Sequence, residues 1–396
     1  MRITEIRDIS VPLEGNISNA VVSFNDHTVS LVAVVSDQIR QGKAVIGFGF
    51  NSIGRYAQSG ILRERMIPRV LSSDPEFLLA PDGVGIDPAA VAQIAMKNEK
   101  PGGHGDRAGA LGALELAIWD LNAKLADEPA WMTIARATNH RVETQSAKVY
   151  AAGGYYYAED STKRLRQELE HYQNLGYQAF KMKIGGASMA EDLERINTAL
   201  SVAGTGTNLA VDANGRFDLD AALEYGEAIA PLELRWYEEP GDPLDYRLNH
   251  ELARHYEGAL ATGENLFSQR DMTNLVHFGG MRRGKDIFQM DAGLSYGLTE
   301  YISMVRQLEI AGFDRSQCHP HGGHLVNLHI AIGLGLGGCE AYPGVFQPFG
   351  GYAAECALED GCVTPTDAAG FGLEQKGELR KHLTALSENI RGTGRK

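Results

Sequence analysis

The sequence has few cysteines, no long apolar run and no cluster of basic residues, and each of these absences excludes a class of protein. The four cysteines fall in the last quarter without a C-x-x-C pair, which favours reduced thiols over a disulfide framework or a structural zinc site. No apolar run reaches the roughly eighteen residues that a membrane span requires, and the first residues, MRITEIR, contain no apolar signal segment. We therefore expect a cytoplasmic protein.

Charge and length restrict the function further. A net charge of −14, with no basic cluster to interrupt it, argues against nucleic acid and anionic membranes as partners. An anionic small molecule would need cations close to its binding site. At 396 residues the chain exceeds the usual size of one domain, so we expect a large α/β core and a smaller second domain.

The pattern of apolar residues over 1–137 predicts that this segment is the smaller domain, of α+β type. Apolar and polar residues alternate over 29–35 and 44–50, which is typical of antiparallel strands. Over 108–125 the apolar residues recur at steps of three and four, which predicts a helix. A group of strands followed by a group of helices indicates an α+β unit.

Residues 146–364 predict a (β/α)8 barrel, or a modified (β/α)7β barrel, because strand-like runs alternate with helical stretches. The eight runs are 148–152, 178–183, 208–212, 234–238, 259–263, 286–291, 315–320 and 337–342, with helices predicted over 161–175 and 189–202. The chemistry of such a barrel lies at the C-terminal ends of its strands. The remaining segment, 365–396, contains a basic amphipathic helix over 373–390 that we expect to return to the first domain.

Three acidic residues end successive predicted strands at a constant interval. Asp212, Glu238 and Glu264 are each separated by 26 residues, about the length of one strand, one helix and two loops. A parallel array would bring these strand ends side by side, where unpartnered carboxylates repel each other. Three carboxylates favour a hard cation, with Mg2+ the first expectation. Singly, each acid would more often be a cap or an ion pair.

Two lysines on the second barrel strand have the spacing that turns both side chains to one face. Lys181 and Lys183 are two residues apart, so strand periodicity directs both into the barrel. An ammonium beside a second ammonium and a metal, partly removed from water, loses its proton more readily, which makes Lys183 a candidate general base. The alternative is a pair of solvated lysines at a strand edge.

Further candidates follow on the remaining strands. Asn214 has the parity of Asp212 and should face the same ligand. Asp291 precedes the run CHPHGGH, whose histidines could act as acid or base when fixed by a carboxylate. Glu340, on the last strand, could donate a hydrogen bond to a substrate oxygen if protonated. The pair His319 and His321 also has the H-x-H spacing of a zinc site, so a zinc amidohydrolase is an alternative.

Together these motifs resemble the mandelate racemase subgroup of the enolase superfamily. The similarity covers nearly the whole chain and includes GALELAIWDLNAK at 112–124, K-x-K at 181–183, WYEEP at 236–240 and the Gly-Glu pair ending at Glu264. The resemblance implies a capping domain on a barrel, a small-molecule substrate of the hydroxy-acid class and a homo-oligomer. It also implies a Mg2+ site at Asp212, Glu238 and Glu264, with Lys183 as base and Asp291 paired to a histidine.

Two histidines compete for that pairing. Racemases of the family have a Ser-Ser-His pattern that would align with His324, whereas acid-sugar dehydratases have Pro-His-x-Gly-Gly, which is similar to the sequence around His321. We therefore expect His321 to be the partner of Asp291, with His324 as the second choice.

The resemblance implies a dehydration, and the combination of K-x-K with His321 is most similar to dehydratases of D-tartrate. Lys183 would remove the α-proton, Mg2+, Lys181 and Glu340 would stabilise the enediolate, and the histidine would protonate the departing β-hydroxyl. D-tartrate would then give oxaloacetate. A racemase or epimerase needs the same residues and remains an alternative, as does a binding protein that reuses the fold.

Substrate specificity is expected from two loops of the first domain. The segments 14–27 and 51–58 are predicted to cover the mouth of the barrel. Arg55, in the second of these loops, or Lys100 is a candidate to bind a second substrate carboxylate.

Overall fold

The computed structural model describes residues 1–14, 17–81, 83–157 and 161–388. Its first part is a three-stranded antiparallel sheet of β1 (Ile3–Pro12), β2 (Thr28–Arg40) and β3 (Lys43–Phe50), in that order. Gly47 and Gly49 lie where an added Cβ would collide with the backbone of Ala117 and Ala113. The two glycines therefore let a helix approach the sheet closely. The strands predicted over 29–35 and 44–50 are confirmed.

Helices follow this sheet. They are α1 (Ser59–Ile61), which continues through a wide turn at Leu62–Met66 into α2 (Ile67–Leu71), then α3 (Pro88–Ala95), α4 (Asp106–Ala126) and α5 (Ala130–Thr138). Helix α4 is buried along most of its length and packs against β3 and β2. The helix predicted over 108–125 is confirmed by α4.

A ring of parallel strands forms the larger part of the fold. The strands are β4 (Ala147–Ala152), β5 (Phe180–Lys183), β6 (Leu209–Asp212), β7 (Tyr237–Glu238), β8 (Leu260–Thr262), β9 (Ile287–Phe288) and β10 (Cys339–Ala341). Each pairs in parallel with the next as far as β9, and β10 pairs in parallel with β4. Cys318 links β9 to β10, through a parallel bridge to Phe288 and a 3.1 Å hydrogen bond from the Gly337 amide to its carbonyl. The ring is thereby closed.

The seventh predicted strand, 315–320, is reduced to the single bridge at Cys318. The amides of His319 and His321 donate to β9 and the loop after it, at 2.9 and 3.3 Å. Between them, Pro320 has no amide hydrogen with which to continue the pairing toward β10. This residue explains why the strand is so short.

Helices connect the barrel strands. They are α6 (Ser161–Leu175), α7 (Met189–Ala203), α8 (Leu219–Ile229), α9 (Tyr246–His255), α10 (Gln269–Phe278), α11 (Leu298–Ile310) and α12 (Leu325–Leu334). The helices predicted over 161–175 and 189–202 are confirmed. None of the helices in the described part of the chain combines the length and apolar composition that crossing a bilayer requires.

The C-terminal segment returns to the first sheet. Strands β11 (Ala357–Glu359) and β12 (Cys362–Thr364) form a hairpin, and β12 pairs antiparallel with β4. Helix α13 (Arg380–Ser387) then contacts β1 and β2, and the Arg7 guanidinium donates to the Leu386 carbonyl at 2.9 Å.

The single helix predicted over 373–390 is wrong in its extent. Two short 3-10 turns, Leu373–Gln375 and Gly377–Leu379, precede the shorter α13. Glycine at 377 has a low helix propensity, which favours a break there. Residues 389 and 390 of the predicted helix, like 389–396 of the predicted returning segment, lie outside the described residues. The division into domains at 1–137 and 146–364 stays a prediction.

Candidate active site

Three carboxylates converge at the C-terminal ends of neighbouring barrel strands. Asp212 pairs with Glu238 in the register of β6 and β7, and Glu264 follows β8 by two residues. Asp212 and Glu238 are fully buried, and one oxygen from each of the three residues lies within 4.8 Å of the others. The equal spacing in the sequence therefore corresponds to one cluster in space.

This cluster is electrostatically strained. Burial, and next the neighbouring Asp212, raise the pKa of the Glu238 carboxyl to about 8. Although burial opposes it, the ammonium groups of Lys183 and Lys181 hold the pKa of Asp212 well below its ordinary range. An oxygen-only donor set with this much crowded negative charge fits a hard divalent cation.

The two lysines of β5 are buried against these acids. Lys181 Nζ lies 2.5 Å from Glu238 Oε1 and 2.7 Å from Glu340 Oε1, and Lys183 Nζ lies 2.5 Å from Asp212 Oδ2. The pKa of Lys181 is raised well above its ordinary value, because Glu238 and Glu340 outweigh the opposing effect of burial. Solvated lysines at a strand edge are thus excluded, and Lys181 is a fixed cation.

Asn214 lies beside Asp212, although its φ of 48° departs from strand geometry. Its amide nitrogen Nδ2 lies 3.3 Å from Asp212 Oδ2, and its backbone amide donates to Asp212 Oδ1 at 2.9 Å. Its own Oδ1 is buried and has no hydrogen-bond partner among the described residues. That oxygen is available to a ligand hydroxyl.

His321 and Asp291 lie on the other side of the carboxylate cluster. His321 Nδ1 is 3.2 Å from Asp291 Oδ2, while Nε2 lies 3.6 Å from Glu264 Oε2 and 3.2 Å from the Tyr342 hydroxyl. Burial lowers the pKa of His321, but Glu264 and then Asp291 more than compensate and raise it to about 9. The imidazole is therefore set up to donate a proton from Nε2.

His324, the second choice, is placed differently. It is the N-cap of α12, where its Nδ1 accepts from the Asn327 amide at 3.4 Å. Its Nε2 lies 3.0 Å from Ser52 Oγ. Burial lowers the pKa of His324 to about 4, so the ring is neutral. Its position is behind Asp291, not at the cavity.

Glu340 does not fit the predicted role of a protonated donor to substrate. Its Oε1 accepts from Lys181, and its Oε2 accepts from the Gly322 amide at 2.8 Å. Burial opposes ionisation, yet Lys181 and His321 lower the pKa of Glu340 to about 2. Glu340 is an ionised partner of Lys181.

A cavity of about 180 Å³ connects these groups. Ligand cavities commonly measure roughly 300–1,000 Å³, so this one suits a small molecule. The candidate residues that line it are Lys183, Asn214, Glu264, His321 and Arg55. A larger cavity, of about 690 Å³, lies between β3 and α13 and is lined by none of the candidate residues.

The loops predicted at 14–27 and 51–58 supply part of the cavity wall. Arg55 lines it and donates to the Gly54 carbonyl at 2.8 Å and to Asn265 Oδ1. From the predicted loop 14–27, of which residues 15 and 16 lie outside the described part, Asn19, Val21, Val22 and Phe24 line the cavity. Lys100 is exposed and is not among the described residues that line it.

The sequence analysis missed several lining residues. Strand alternation directs Glu239 away from the three clustered carboxylates. Its φ of 35° breaks the alternation, and the side chain lines the cavity. Burial, and next Glu264, raise its pKa well above the ordinary value, and Asn265 Nδ2 donates to it at 2.8 Å. Tyr155, Tyr342 and Phe346 also line the cavity. Their only signal in the sequence is a position at or just after the end of a predicted strand.

The H-x-H pair does not form a metal site. His319 packs among aromatic rings, 5.6 Å from the Trp236 centroid and 6.4 Å from that of Tyr150, and burial lowers its pKa to about 3. His321 instead faces the cavity.

The chain belongs to the enolase C-terminal domain-like family, which matches residues 164–379. Arabinonate dehydratase of Saccharolobus solfataricus is 28% identical over 228 residues, which cover 57% of this chain and 58% of that protein. L-talarate/galactarate dehydratase of Salmonella typhimurium is 25% identical over 376 residues, 94% of this chain and 88% of that protein. The resemblance noted from the sequence is thereby confirmed.

A solved structure has the same fold over almost its whole length. A racemase from Streptomyces coelicolor, crystallised with bound magnesium, superimposes with a TM-score of 0.75 at 22% identity, and the match covers 97% of this chain and 99% of that one. The match includes both the barrel and the first sheet.

Proposed function

We propose that this protein is a Mg2+-dependent dehydratase of a small hydroxy acid or acid sugar, with D-tartrate to oxaloacetate as the expected reaction. One observation supports this most: Lys183 and the Asp291-supported His321 face one small cavity beside a cluster of three carboxylates. A base and an acid at one cavity are what elimination of water requires. Relatives named as dehydratases support the same class, a hydro-lyase.

Asp212, Glu238 and Glu264 would bind the metal. When bound, Mg2+ supplies positive charge next to a substrate carboxylate, whose negative charge increases when the α-proton is removed. The crowded acids and the raised pKa of Glu238 support a cation at this position.

The residues of this chain would perform the proton transfers. Lys183 Nζ accepts the α-proton and leaves an enediolate, whose electron pair then forms the new carbon–carbon double bond as the β carbon–oxygen bond breaks. His321 Nε2 gives its proton to the departing oxygen, which leaves as water. The enol product then becomes a 2-keto acid. Lys181 remains protonated throughout, because Glu238 and Glu340 surround it.

The cavity favours a short diacid over a long polyol. Its wall toward the first domain includes the apolar side chains of Ile53, Phe24 and Phe346, which offer no hydrogen bonds to a chain of hydroxyls. Arg55 lies at the same wall and could bind a second carboxylate in a bidentate manner. A four-carbon dicarboxylate meets both conditions.

The direct test follows product formation by proton NMR in D2O. The Mg2+-loaded protein would be incubated separately with D-, L- and meso-tartrate and with a panel of longer acid sugars. We expect a 2-keto acid from D-tartrate. An α-deuterated epimer without loss of water would instead show a racemase or epimerase, and absence of both reactions on every acid would refute the proposal.

Replacing Arg55 with leucine should weaken substrate binding. A hydrogen bond to a charged group contributes about 1.5–3 kcal/mol, so we expect KM for the diacid to rise about 10- to 100-fold with a smaller change in kcat. Steady-state kinetics would measure this. Lys100→Ala is the matched control, because this exposed lysine lies outside the cavity lining, and it should leave KM unchanged. A rise in KM in Lys100→Ala but not in Arg55→Leu would instead assign the second substrate carboxylate to Lys100.

Replacing Glu264 with glutamine should weaken metal binding. A ligand that binds only the folded state at a hundred times its Kd stabilises that state by about 2.7 kcal/mol, so Mg2+ should raise the Tm of the chelator-treated parent protein. In Glu264→Gln this rise should largely disappear. Glu257, whose side chain is 95% exposed, gives the control Glu257→Gln. A full Mg2+ response in Glu264→Gln, or a stronger response to Zn2+ in the parent, would contradict the assignment.

We further expect a homo-oligomer, as the family resemblance implies, and a cytoplasmic location.

A further inference from the structure

The loop after β3 reaches into the barrel behind the candidate acid. Ser52, fully buried, donates its hydroxyl hydrogen to Asp291 Oδ2, the same oxygen that faces His321 Nδ1 at 3.2 Å. The other carboxylate oxygen, Oδ1, accepts from the Gly293 amide at 2.8 Å. Ser52 is therefore a hydrogen-bond partner of the carboxylate that orients the imidazole.

The direction of each hydrogen bond follows from His324. Its Nδ1 accepts from the Asn327 amide, so in the neutral ring the hydrogen is on Nε2. Nε2 therefore donates to Ser52 Oγ, 3.0 Å away, and Ser52 has its one hydrogen left for Asp291. The result is a directed chain from His324 through Ser52 to Asp291.

The backbone around this chain is shaped to admit it. Gly322 has a φ of 92°, and a Cβ added there would lie 2.7 Å from Ser52 Oγ and 2.8 Å from Asp291 Oδ2. A Cβ added at Gly293 would lie 2.7 Å from the Cβ of Ser52. Any side chain at either glycine would displace the serine. Two separate segments of the barrel thus leave room for a residue of the first sheet's loop.

We propose that Ser52, supported by His324, is a positioning residue that fixes the Asp291 carboxylate so that His321 keeps its hydrogen on Nδ1 and presents Nε2 to the cavity. The inference rests on the proposed function. Ser52 belongs to the same loop as Arg55, so placement of the loop positions the substrate-binding guanidinium and the acid together. This role also gives a function to His324, the histidine that follows Gly322 and Gly323.

The test uses Ser52→Gly and Ser52→Ala in the Mg2+-loaded protein. Ser52 has a φ of 56°, a conformation that glycine adopts without strain, so Ser52→Gly should fold at least as well as the parent. Losing an outer partner of a functional histidine commonly costs about 10- to 100-fold in activity, so we expect kcat for dehydration to fall by that factor in both variants. KM and α-deuterium exchange through Lys183 should stay near their parental values.

The matched control is Ser295→Ala. Ser295 is equally buried and donates to the backbone carbonyl of Asp291 at 2.6 Å, so its loss removes a hydroxyl without touching the carboxylate. Dehydration should change little in this variant. The inference is overturned if both Ser52 variants keep the parental dehydration rate. It is also overturned if α-deuterium exchange falls by the same factor as dehydration.

A second readout is independent of catalysis. In protein labelled with 15N-histidine, the nitrogen shifts of His324, assigned by their absence in His324→Asn, should show the hydrogen on Nε2. The Nδ1 hydrogen signal of His321 should shift in Ser52→Ala and not in Ser295→Ala. A hydrogen on Nδ1 of His324, or an unchanged His321 signal, refutes the chain. If the parent protein dehydrates no acid while these spectra are as expected, the proposed function is refuted but the hydrogen-bond chain from His324 to Asp291 is supported.

Discussion

Lys183→Ala should lose both α-proton exchange and dehydration. A positioned general base contributes about 10²- to 10⁴-fold, and both reactions begin with removal of the same proton, so both rates should fall by about this factor. Lys183 is the lysine of the pair that lines the cavity, whereas Lys181 is enclosed by Glu238 and Glu340. Exchange in D2O and 2-keto acid formation would be measured on the same samples by proton NMR.

The control for this variant is Lys148→Ala. Lys148 is an exposed lysine on β4, outside the cavity lining, so its loss should leave both rates unchanged. Persistent exchange in Lys183→Ala would assign proton removal to another group. The variant should still bind Mg2+, as measured by a rise in its Tm when the ion is added. This would show that the loss of activity does not result from a failure to fold.

The carboxylate cluster could be anticipated from the sequence because parallel strands leave little freedom. Pairing in register places Lys183 beside Asp212 and Asp212 beside Glu238, so a constant interval along the chain becomes adjacency in space. Asn214 also lies beside Asp212, but its φ of 48° departs from strand geometry, so strand parity alone does not explain its position. Where the backbone follows strand geometry, residue spacing was sufficient.

Residues beyond the strand ends could not be anticipated in this way. Glu239 has a positive φ, so strand alternation assigned it to the wrong face. Glu340 was expected to bind substrate because its strand position faces the barrel, but its partners, Lys181 and the Gly322 amide, depend on side-chain packing across the ring. Ser52 had no signal in the sequence, since the residues that it contacts, Asp291 and His324, are far away along the chain.

The choice between two histidines shows the same limit. The family resemblance favoured His321, and the structure places that ring at the cavity with Asp291 at its Nδ1. The sequence could not show what His324 does, because its partners are the Asn327 amide and Ser52. Its capping of α12 and its contact with Ser52 are properties of the folded chain.

His321→Asn should separate the two halves of the reaction. Asparagine can still hydrogen-bond to Asp291 but has no proton to give to a departing hydroxyl, so dehydration should fall by about 10²- to 10⁴-fold. Lys183 lies across the carboxylate cluster, against Asp212, and does not depend on the imidazole. The α-proton should therefore still exchange with solvent deuterium, and proton NMR would show deuterium incorporation without a keto acid.

This variant also discriminates between dehydration and epimerisation. If His321 acted as the second base of a racemase, exchange of one substrate enantiomer would persist through Lys183 while exchange of the other would vanish. If it acts as the acid of a dehydratase, the parent forms a keto acid that the variant does not. His171→Asn, at an exposed histidine on α6, should behave as the parent in every assay. Dehydration at the parental rate in His321→Asn would remove the imidazole from the mechanism and leave proton donation to a neighbour such as Tyr342, whose hydroxyl lies 3.2 Å from His321 Nε2.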